Sequence, residues 1–592
     1  MTRVSLLLLT GLLACGFDVP AQTIAPATPR SRPPQVWIDP ALGKLDAIQL
    51  QDLSIDIRVE GFIATTTLDM TFFNPNARVL EGELVFPLAE GQSITGYALE
   101  VGGKLRQGVV VEKETARVAF ESTTRRNVDP GLAEMTRGNV FRTRLYPLPA
   151  RGSKRVAISF DQPLLDAGAA YRYVLPLQLT QRIGHFKVHA EAIRAEHAPK
   201  SAPSDGALTF EHSRDSFLAD LERNDFLPER EFAFTLDKPK DPVTAFAVQD
   251  ALEPAWRTFA AQVQSAVPAD ATRAAPVHRV ALYYDASGSA QARNRARELD
   301  FLGAWLAQLK DVDVDLVAFR NDADPVAHFQ VHDGDSAALR KAIEALPLDG
   351  GTSYGAIQLD AAAHVDLALV IGDGLSNFAE RVPHLSYSDG STPRVVFVHA
   401  AQSVDSGNLA RWARRFGGRV INLLDGDNAA ALAQVAAAPW LLQRVSVSRG
   451  ECTDLAPAAP APASAVTSVY GRCKGPAEID LQFGGSAGVM VQRHIRIDDA
   501  ALLPPDRGAF VARLWAVARI ADLENADAAD VAAITALGKR YGVVTANTSM
   551  LVLDRVEDYV RYKVEPREPE LLAQYQAMIA TQGKTRTLAS KC

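Results

Sequence analysis

Between about Leu45 and Pro242, apolar and polar residues alternate in short runs separated by turn residues, and this period of two predicts strands. Ala64 to Phe72 is one such run, Asn74-Pro75-Asn76 reads as a turn, and Glu81 to Phe86 as the next strand. The one stretch with a helical period is Asp215 to Glu222. Two packed antiparallel sheets would bury the alternating apolar faces. The expectation is a β-sandwich-like domain over 45–170 and a further β segment over 171–245 packed with it.

The pattern changes at Pro276. Arg279 to Tyr284 reads as a buried strand and Gln291 to Leu309 as a helix with Leu299, Leu302, Leu306 and Leu309 on one face. Val312 to Phe319 follows as a strand, then a helix near Ser336 to Leu346, the apolar strand Val365 to Ile371, the strand Arg394 to His399, a helix near Asn408 to Phe416 and the strand Arg419 to Leu423. Strands alternating with helices imply a doubly wound, mostly parallel sheet, here over 276–438. Short β runs return over 441–500, and a helical and strand segment over 504–560 contains helices between Gly508 and Lys539 and a strand within Gly542 to Leu553. The tail, 561–592, reads as polar, partly helical and loosely held. The chain is therefore multidomain, with an all-β N-terminal part, a central α/β unit and a mixed β/α C-terminal region.

Composition narrows the function classes. With 62 basic and 70 acidic residues and no long block of one sign, the chain lacks the electrostatic footprint of a nucleic-acid or anionic-membrane binder. At the N-terminus, Arg3 followed by the apolar run Val4 to Ala14 reads as an export signal over 1–21. Two processing routes stay open: Leu12-Leu13-Ala14-Cys15 has the form of a lipoprotein box with Cys15 lipidated, and Val19-Pro20-Ala21 that of an ordinary cleavage site. The Pro-rich stretch within 22–44 reads as a flexible tether. Export to the periplasm, or to the outer membrane or cell surface as a lipoprotein, is expected, with a lipid anchor as the only membrane attachment. Of four cysteines, Cys452 and Cys473 flank the Pro/Ala-rich stretch Ala456 to Ala463, and a disulfide closing that loop of about 20 residues would contribute roughly 3 kcal/mol. Cys592 has no evident mate.

The candidate chemistry lies in the α/β unit. Asp285, Ser287 and Ser289 follow the strand Arg279 to Tyr284 at a spacing of two, which places three oxygen-bearing side chains on one side of an extended loop. A carboxylate with two hydroxyls suits a hard cation such as Mg²⁺, with Mn²⁺ or Ca²⁺ as alternatives. The same string is also an ordinary turn and cap for the helix from Gln291. Gly350-Gly351-Thr352, read as opening a helix, and Asp373, at the end of Val365 to Ile371, fall on loops that a parallel sheet gathers at its carboxyl edge.

Two resemblances follow. Phe73-Asn74-Pro75, Gly82-Glu83-Leu84-Val85-Phe86-Pro87-Leu88, Val111-Glu112-Lys113-Glu114-Thr115-Ala116 with Ala119-Phe120-Glu121, and Asn139-Val140-Phe141 resemble, in this order, the VIT domain of inter-alpha-trypsin inhibitor heavy chains and a vault protein. Asp285, Ser287, Ser289, Thr352 and Asp373 resemble the metal-ion-dependent adhesion site of the von Willebrand factor A (VWA) domain, and Leu514-Trp515-Ala516 and Val544 to Ser549 resemble heavy-chain segments that follow that domain. The resemblance implies that Ser287 and Ser289 contact the cation directly, Asp285 and Asp373 act mainly through water, and Thr352 switches between the two. It further implies that an Asp or Glu of a protein partner completes the coordination.

Other motifs read as structural. Gly484-Gly485-Ser486-Ala487-Gly488 has the form of a hydrolase elbow, but such an elbow needs a helix after it, and Val489 to Ile497 continues as a strand. A serine hydrolase using Ser486 and a cation-stiffened envelope scaffold are the rival readings. His399 reads as a core or edge histidine and His494 as a strand residue. Asp311, Asp313 and Asp315 read as the polar positions of a strand, Asp425, Asp427 and Asn428 as a helix cap, and Glu524 to Asp530 as a solvated cap between helices.

Overall fold

The computed structural model describes residues 35–39 and 45–589, apart from 89–90, 125–129, 137–139, 178, 180, 202–207, 230, 266–275, 360–363, 379–381, 389, 402, 425–426, 465, 486–487 and 526–529. The export signal, Cys15, Asn139, Asp425, Ser486 and Cys592 lie outside the described residues, as does the proposed tether except for the short strand Gln35–Ile38 and its flanks.

Three sheets form the N-terminal body, one of them the four-stranded sheet of Leu165–Ala167, Ala170–Leu175, Phe232–Asp237 and Lys200–Ser201, and the two larger ones depart from a purely local arrangement. One has eight strands with Gln49–Glu60, Ile63–Phe73 and Ser153–Pro163 at its centre, and within it Ile183–Ile193 pairs parallel to Gln49–Glu60. Ile55, Ile57, Leu68, Met70, Val156 and Ile158 alternate inward from these strands into a common core. The other has six strands and is completed from the far end of the chain. Thr548–Val552 lies between Gly131–Thr136 and Val109–Glu112, antiparallel to both. This part is not all strand, since Lys113–Thr124 is a helix whose Ala116, Ala119 and Phe120 face the core.

The helix expected over Asp215 to Glu222 is instead part of the strand Ser216–Phe226. Ala219 and Leu221 are buried and Asp220 and Glu222 exposed, a period of two that a short window does not separate from a helical one. Register with Ile183–Ile193 decides it, and His189 and His185 there meet Asp220 at 2.8 Å and Glu222 at 3.0 Å.

The α/β unit has one six-stranded sheet in the order Ala327–Val331, Val312–Phe319, Arg279–Asp285, Leu367–Ile371, Arg394–His399, Arg419–Asn422, parallel except for its first strand. Apolar clusters cover both faces, one against Leu302, Trp305 and Leu306 of the helix Arg295–Leu309, the other against Leu409 and Trp412 of Ser406–Arg415. Strand order reverses on either side of Arg279–Asp285, which puts the switch point at Asp285. Two local expectations are corrected. The first helix begins at Arg295, where the Asn294 side chain accepts a hydrogen bond from Arg297 N, and Gly288–Ala292 is only a 3₁₀ turn. No helix follows Thr352 directly, because the chain makes a single 3₁₀ turn over Tyr354–Ala356.

The unit is inserted into a third body rather than strung between two. Val243–Gln249 and Trp256–Gln264, which precede it, share a sheet with Cys452–Ala456, Val466–Lys474 and Leu502–Leu503, which follow it. Cys452 and Cys473 are opposed across this sheet and bonded. The chain leaves and re-enters through Ser265 and Trp440, whose side chains meet at 3.2 Å. Helix Pro505–Asn525 docks this body onto the first through Arg507–Glu60 at 2.6 Å and Arg513–Asp161 at 2.8 Å. The tail is more firmly held than its composition suggests: Val564 and Leu571 are buried in one cluster with Tyr559, and helix Pro569–Ala589 packs Tyr575 and Met578 on it.

Candidate functional site

The site grows from the end of the central strand. Asp285 is its last residue, and after it Ala286 N donates to Phe319 O, which turns the loop across the sheet edge. Asp285 Oδ1 then accepts from Ser287 N at 2.9 Å, a local Asx turn that holds the carboxylate over its own loop. Gly288 N donates to Gly350 O and Asp349 N to Ala286 O, so the second loop lies directly against the first. Thr352 N donates to Asn377 Oδ1 at 2.7 Å, and Thr352 O accepts from Asn377 N and Phe378 N, joining the second loop to the third.

Within this frame the hydroxyls of Ser287 and Ser289 and the carboxylate of Asp373 are in direct contact. Ser287 Oγ and Ser289 Oγ are 3.0 Å apart, and Ser289 Oγ donates to Asp373 Oδ2 at 2.7 Å. Asp373 Oδ1 accepts from Leu375 N. Asp285, Ser287, Thr352 and Asp373 are each no more than 1% exposed, whereas Gly288, Ser289 and Gly351 are half-buried and form the rim. All five residues singled out in the sequence thus lie on three converging loops. His399 and Asp427, the other candidates near this edge, are held elsewhere: His399 ends its strand in the core, where burial lowers its imidazole to about 4, and Asp427 caps the helix Asn428–Ala436.

Several residues that the sequence did not single out build the surroundings. Tyr354, fully buried between Phe319 and Trp412, accepts from Gly374 N at 2.8 Å through its hydroxyl oxygen. Burial first, then the nearby Asp285 and Asp373, push its phenol well above the usual range. Gly372 leaves the space this packing needs, since a Cβ there would stand 2.3 Å from Tyr354 Oη and 3.0 Å from Asp285 Cβ. Arg293, with a side chain 1% exposed, places Nη1 3.2 Å from Asp285 Oδ2. It also donates from Nη2 to Asp285 O at 2.8 Å and from Nε to Glu298 Oε1 at 2.9 Å. Nothing in the run Arg293, Arg295, Arg297 marks the first of the three as buried, and its partners appear only when the 3₁₀ turn folds it back.

The chemistry of the set is that of hard oxygen donors. Burial raises the Asp285 carboxyl to about 6, with Arg293 opposing and Asp373 adding to the rise. Asp285 Oδ2 has no aligned hydrogen-bond donor, and its partner is the ionic contact with Arg293 Nη1 at 3.2 Å. Among the described residues no group of three or more His, Cys, Asp or Glu is placed to hold a metal ion. Two carboxylates with three hydroxyl side chains form a weakly charged set able to hold a divalent cation such as Mg²⁺ and unsuited to a soft metal.

Residues 50–160 match the family model of the vault protein inter-alpha-trypsin (VIT) domain. This chain carries a VIT domain. A human relative, von Willebrand factor A domain-containing protein 5A, is 25% identical over 140 residues, 23% of this chain and 18% of that protein, so the shared part is a minor portion of the relative's length. The chain therefore resembles proteins that combine a VIT domain with a VWA domain. Solved structures with partial likeness include an aerotolerance-related membrane protein from Bacteroides fragilis, at 16% identity and a TM-score of 0.23 over 27% of this chain and 96% of that one. Another is the conserved hypothetical protein BatB from Bacteroides thetaiotaomicron, at 18% and 0.21 over 26% and 96%. A putative nutrient binding protein from Legionella pneumophila stands at 12% and 0.24 over 36% and 72%. Scores this low carry no weight for function. In the VIT domain, the sheet edge left between Val109–Glu112 and Gly131–Thr136 is filled by Thr548–Val552.

Proposed function

We propose that this chain is an exported, non-enzymatic protein-binding protein whose α/β unit is a VWA domain with a metal-ion-dependent adhesion site. The observation that carries the reading is the contact chain Ser287–Ser289–Asp373 at the switch point of a mostly parallel sheet, with Thr352 pinned beside it. In this reading Ser287 and Ser289 offer hydroxyl oxygens to Mg²⁺, with Mn²⁺ or Ca²⁺ as alternatives. Asp285, Asp373 and Thr352 position water or bind directly, and the rim at Gly288, Ser289 and Gly351 admits an Asp or Glu of a partner protein. A bound divalent cation supplies one acceptor position for that carboxylate. The 3₁₀ turn after Ser287 is too short to add much helix-dipole potential, so the attraction rests on the cation.

A second reading has one observation in its favour. Four of the five residues are almost fully buried, which suits a cation that stiffens three loops of an envelope scaffold. The antiparallel pairing of Ala477–Gly485 with Gly488–Ile497 weighs against a hydrolase elbow at Ser486, which would need a helix after it. Export rests on the N-terminal signal pattern, and among the described residues no helix is long and apolar enough to cross a membrane.

Capture from an envelope extract, with Mg²⁺ or with EDTA, separates these readings. Adhesion predicts a partner retained by the wild type in Mg²⁺, lost in EDTA and lost in Ser289→Ala, and released when the partner's contacting Asp or Glu becomes Asn or Gln. A partner equally retained under all conditions contradicts it.

A further inference from the structure

One side of the rim is built by residues that cation binding does not use. Asn321 Oδ1 accepts from Gly351 N and Asn377 Oδ1 from Thr352 N, each at 2.7 Å, so both carboxamides commit their oxygens to the second loop. Neither amino group has an acceptor among the described residues. A Cβ on Gly351 would stand 2.9 Å from Asn377 Oδ1, 3.0 Å from Asn321 Oδ1 and 3.2 Å from Phe378 Cβ, so three side chains from two neighbouring loops converge on this glycine. Phe378 N donates to Thr352 O at 3.0 Å, which pins its backbone beside the site, yet Phe378 is 48% exposed.

Singly exposed apolar residues are ordinary on any surface, so the place of this one decides its meaning. Among the described residues of the α/β unit, the exposed large apolar side chains are Phe378 and Val326. Both stand on loops at the carboxyl edge of the sheet, Val326 on the loop 320–326 that also carries Asn321. An aromatic ring on a pinned backbone gains contact area on association at a small ordering cost. The free amide donors beside it call for a ligand that brings acceptors, as an extended main chain does with its carbonyls. Residues two apart in such a chain share a face, so an acidic side chain at the cation and an apolar one at Phe378 would be two positions apart. We infer that Phe378 selects the partner by receiving an apolar side chain two positions from the coordinating Asp or Glu of an extended segment. The inference rests on the proposed cation site and adds which acidic segments that site accepts.

The test uses the full chain and two labelled, end-blocked peptides, Leu-Gly-Asp-Gly-Leu and Ser-Gly-Asp-Gly-Ser, read by fluorescence anisotropy in Mg²⁺ and in EDTA. Both are palindromic, so either chain direction puts the varied residue two positions from the acid. In Mg²⁺ the leucine peptide should bind about tenfold tighter than the serine peptide, the order expected for burying part of a leucine side chain. Phe378→Ser should reduce that preference to less than twofold and leave the Mg²⁺ isotherm of the chain unchanged, with Phe378→Gln as the second variant should serine disturb that isotherm. Equal binding of the two peptides by the wild type overturns the inference without recourse to any variant. So does a leucine preference that survives in both variants, or one that persists in EDTA, or no binding of either peptide at millimolar concentration by a chain that binds Mg²⁺. A wild type that binds no Mg²⁺ is a different failure, because it removes the cation site itself.

Discussion

Asp285 shows how one residue can be read correctly as an oxygen donor while its surroundings stay hidden. Its spacing from Ser287 and Ser289 is visible in the sequence, since extended loops repeat every two residues. Its burial and the ion pair of its Oδ2 with Arg293 are tertiary properties. Gly372 belongs to the same class, because its value lies in what a methyl group there would strike. Gly372→Ala should destabilise the α/β unit by about 1–3 kcal/mol, and weaken Mg²⁺ binding by forcing Tyr354 or Asp285 aside. Urea denaturation and a Mg²⁺ titration of the variant read the two effects separately. A variant with unchanged stability and affinity would show that the loop yields more easily than the packing implies.

At the scale of elements, legibility followed burial on both faces. Arg279–Asp285, Leu367–Ile371 and Arg394–His399 stand out as apolar runs because parallel strands are covered by helices above and below. Ser216–Phe226 resembles a helix in sequence because its alternation is short, and pairing with Ile183–Ile193 makes it a strand. The strand Thr548–Val552 could be recognised as a strand, but no local signal says that it pairs with Val109–Glu112 and Gly131–Thr136, more than 400 residues earlier. This placement makes a prediction. Met550 is fully buried in the VIT sheet, and Met550→Ala should cost about 2–5 kcal/mol although it lies far outside the matched domain. Hydrogen exchange should show the loss at Val109–Glu112 and Gly131–Thr136, and protection unchanged there would contradict the pairing.

For the whole molecule, the α/β unit is an insertion between two parts of one β body, and Asp250 marks where those parts are tied. Its carboxylate meets Arg472 at 3.0 Å and Arg540 at 2.8 Å and accepts from Leu252 N and Glu253 N. Burial works against its ionisation, but these hydrogen bonds and the two arginines outweigh it and leave the carboxyl below its usual value. A carboxyl lowered in the folded state adds stability above its unfolded value near 4 and loses it as pH falls through the folded value. Stability should therefore decline on acidification below about pH 4, and Asp250→Asn should cost roughly 1–3 kcal/mol at neutral pH while flattening that part of the profile. Denaturant midpoints measured across pH for both proteins test this, and parallel profiles would assign the acid sensitivity to other groups.

The central claim is that Asp285, Ser287, Ser289, Thr352 and Asp373 form one divalent-cation site. Titration calorimetry of the full chain with Mg²⁺ addresses it most directly, with Asp373→Asn as the comparison because that change keeps size and removes a charge. The account predicts one saturable Mg²⁺ per chain in the wild type and none in Asp373→Asn at equal thermal stability. Identical isotherms for the two proteins, or no binding by the wild type up to the solubility limit of the experiment, would contradict it.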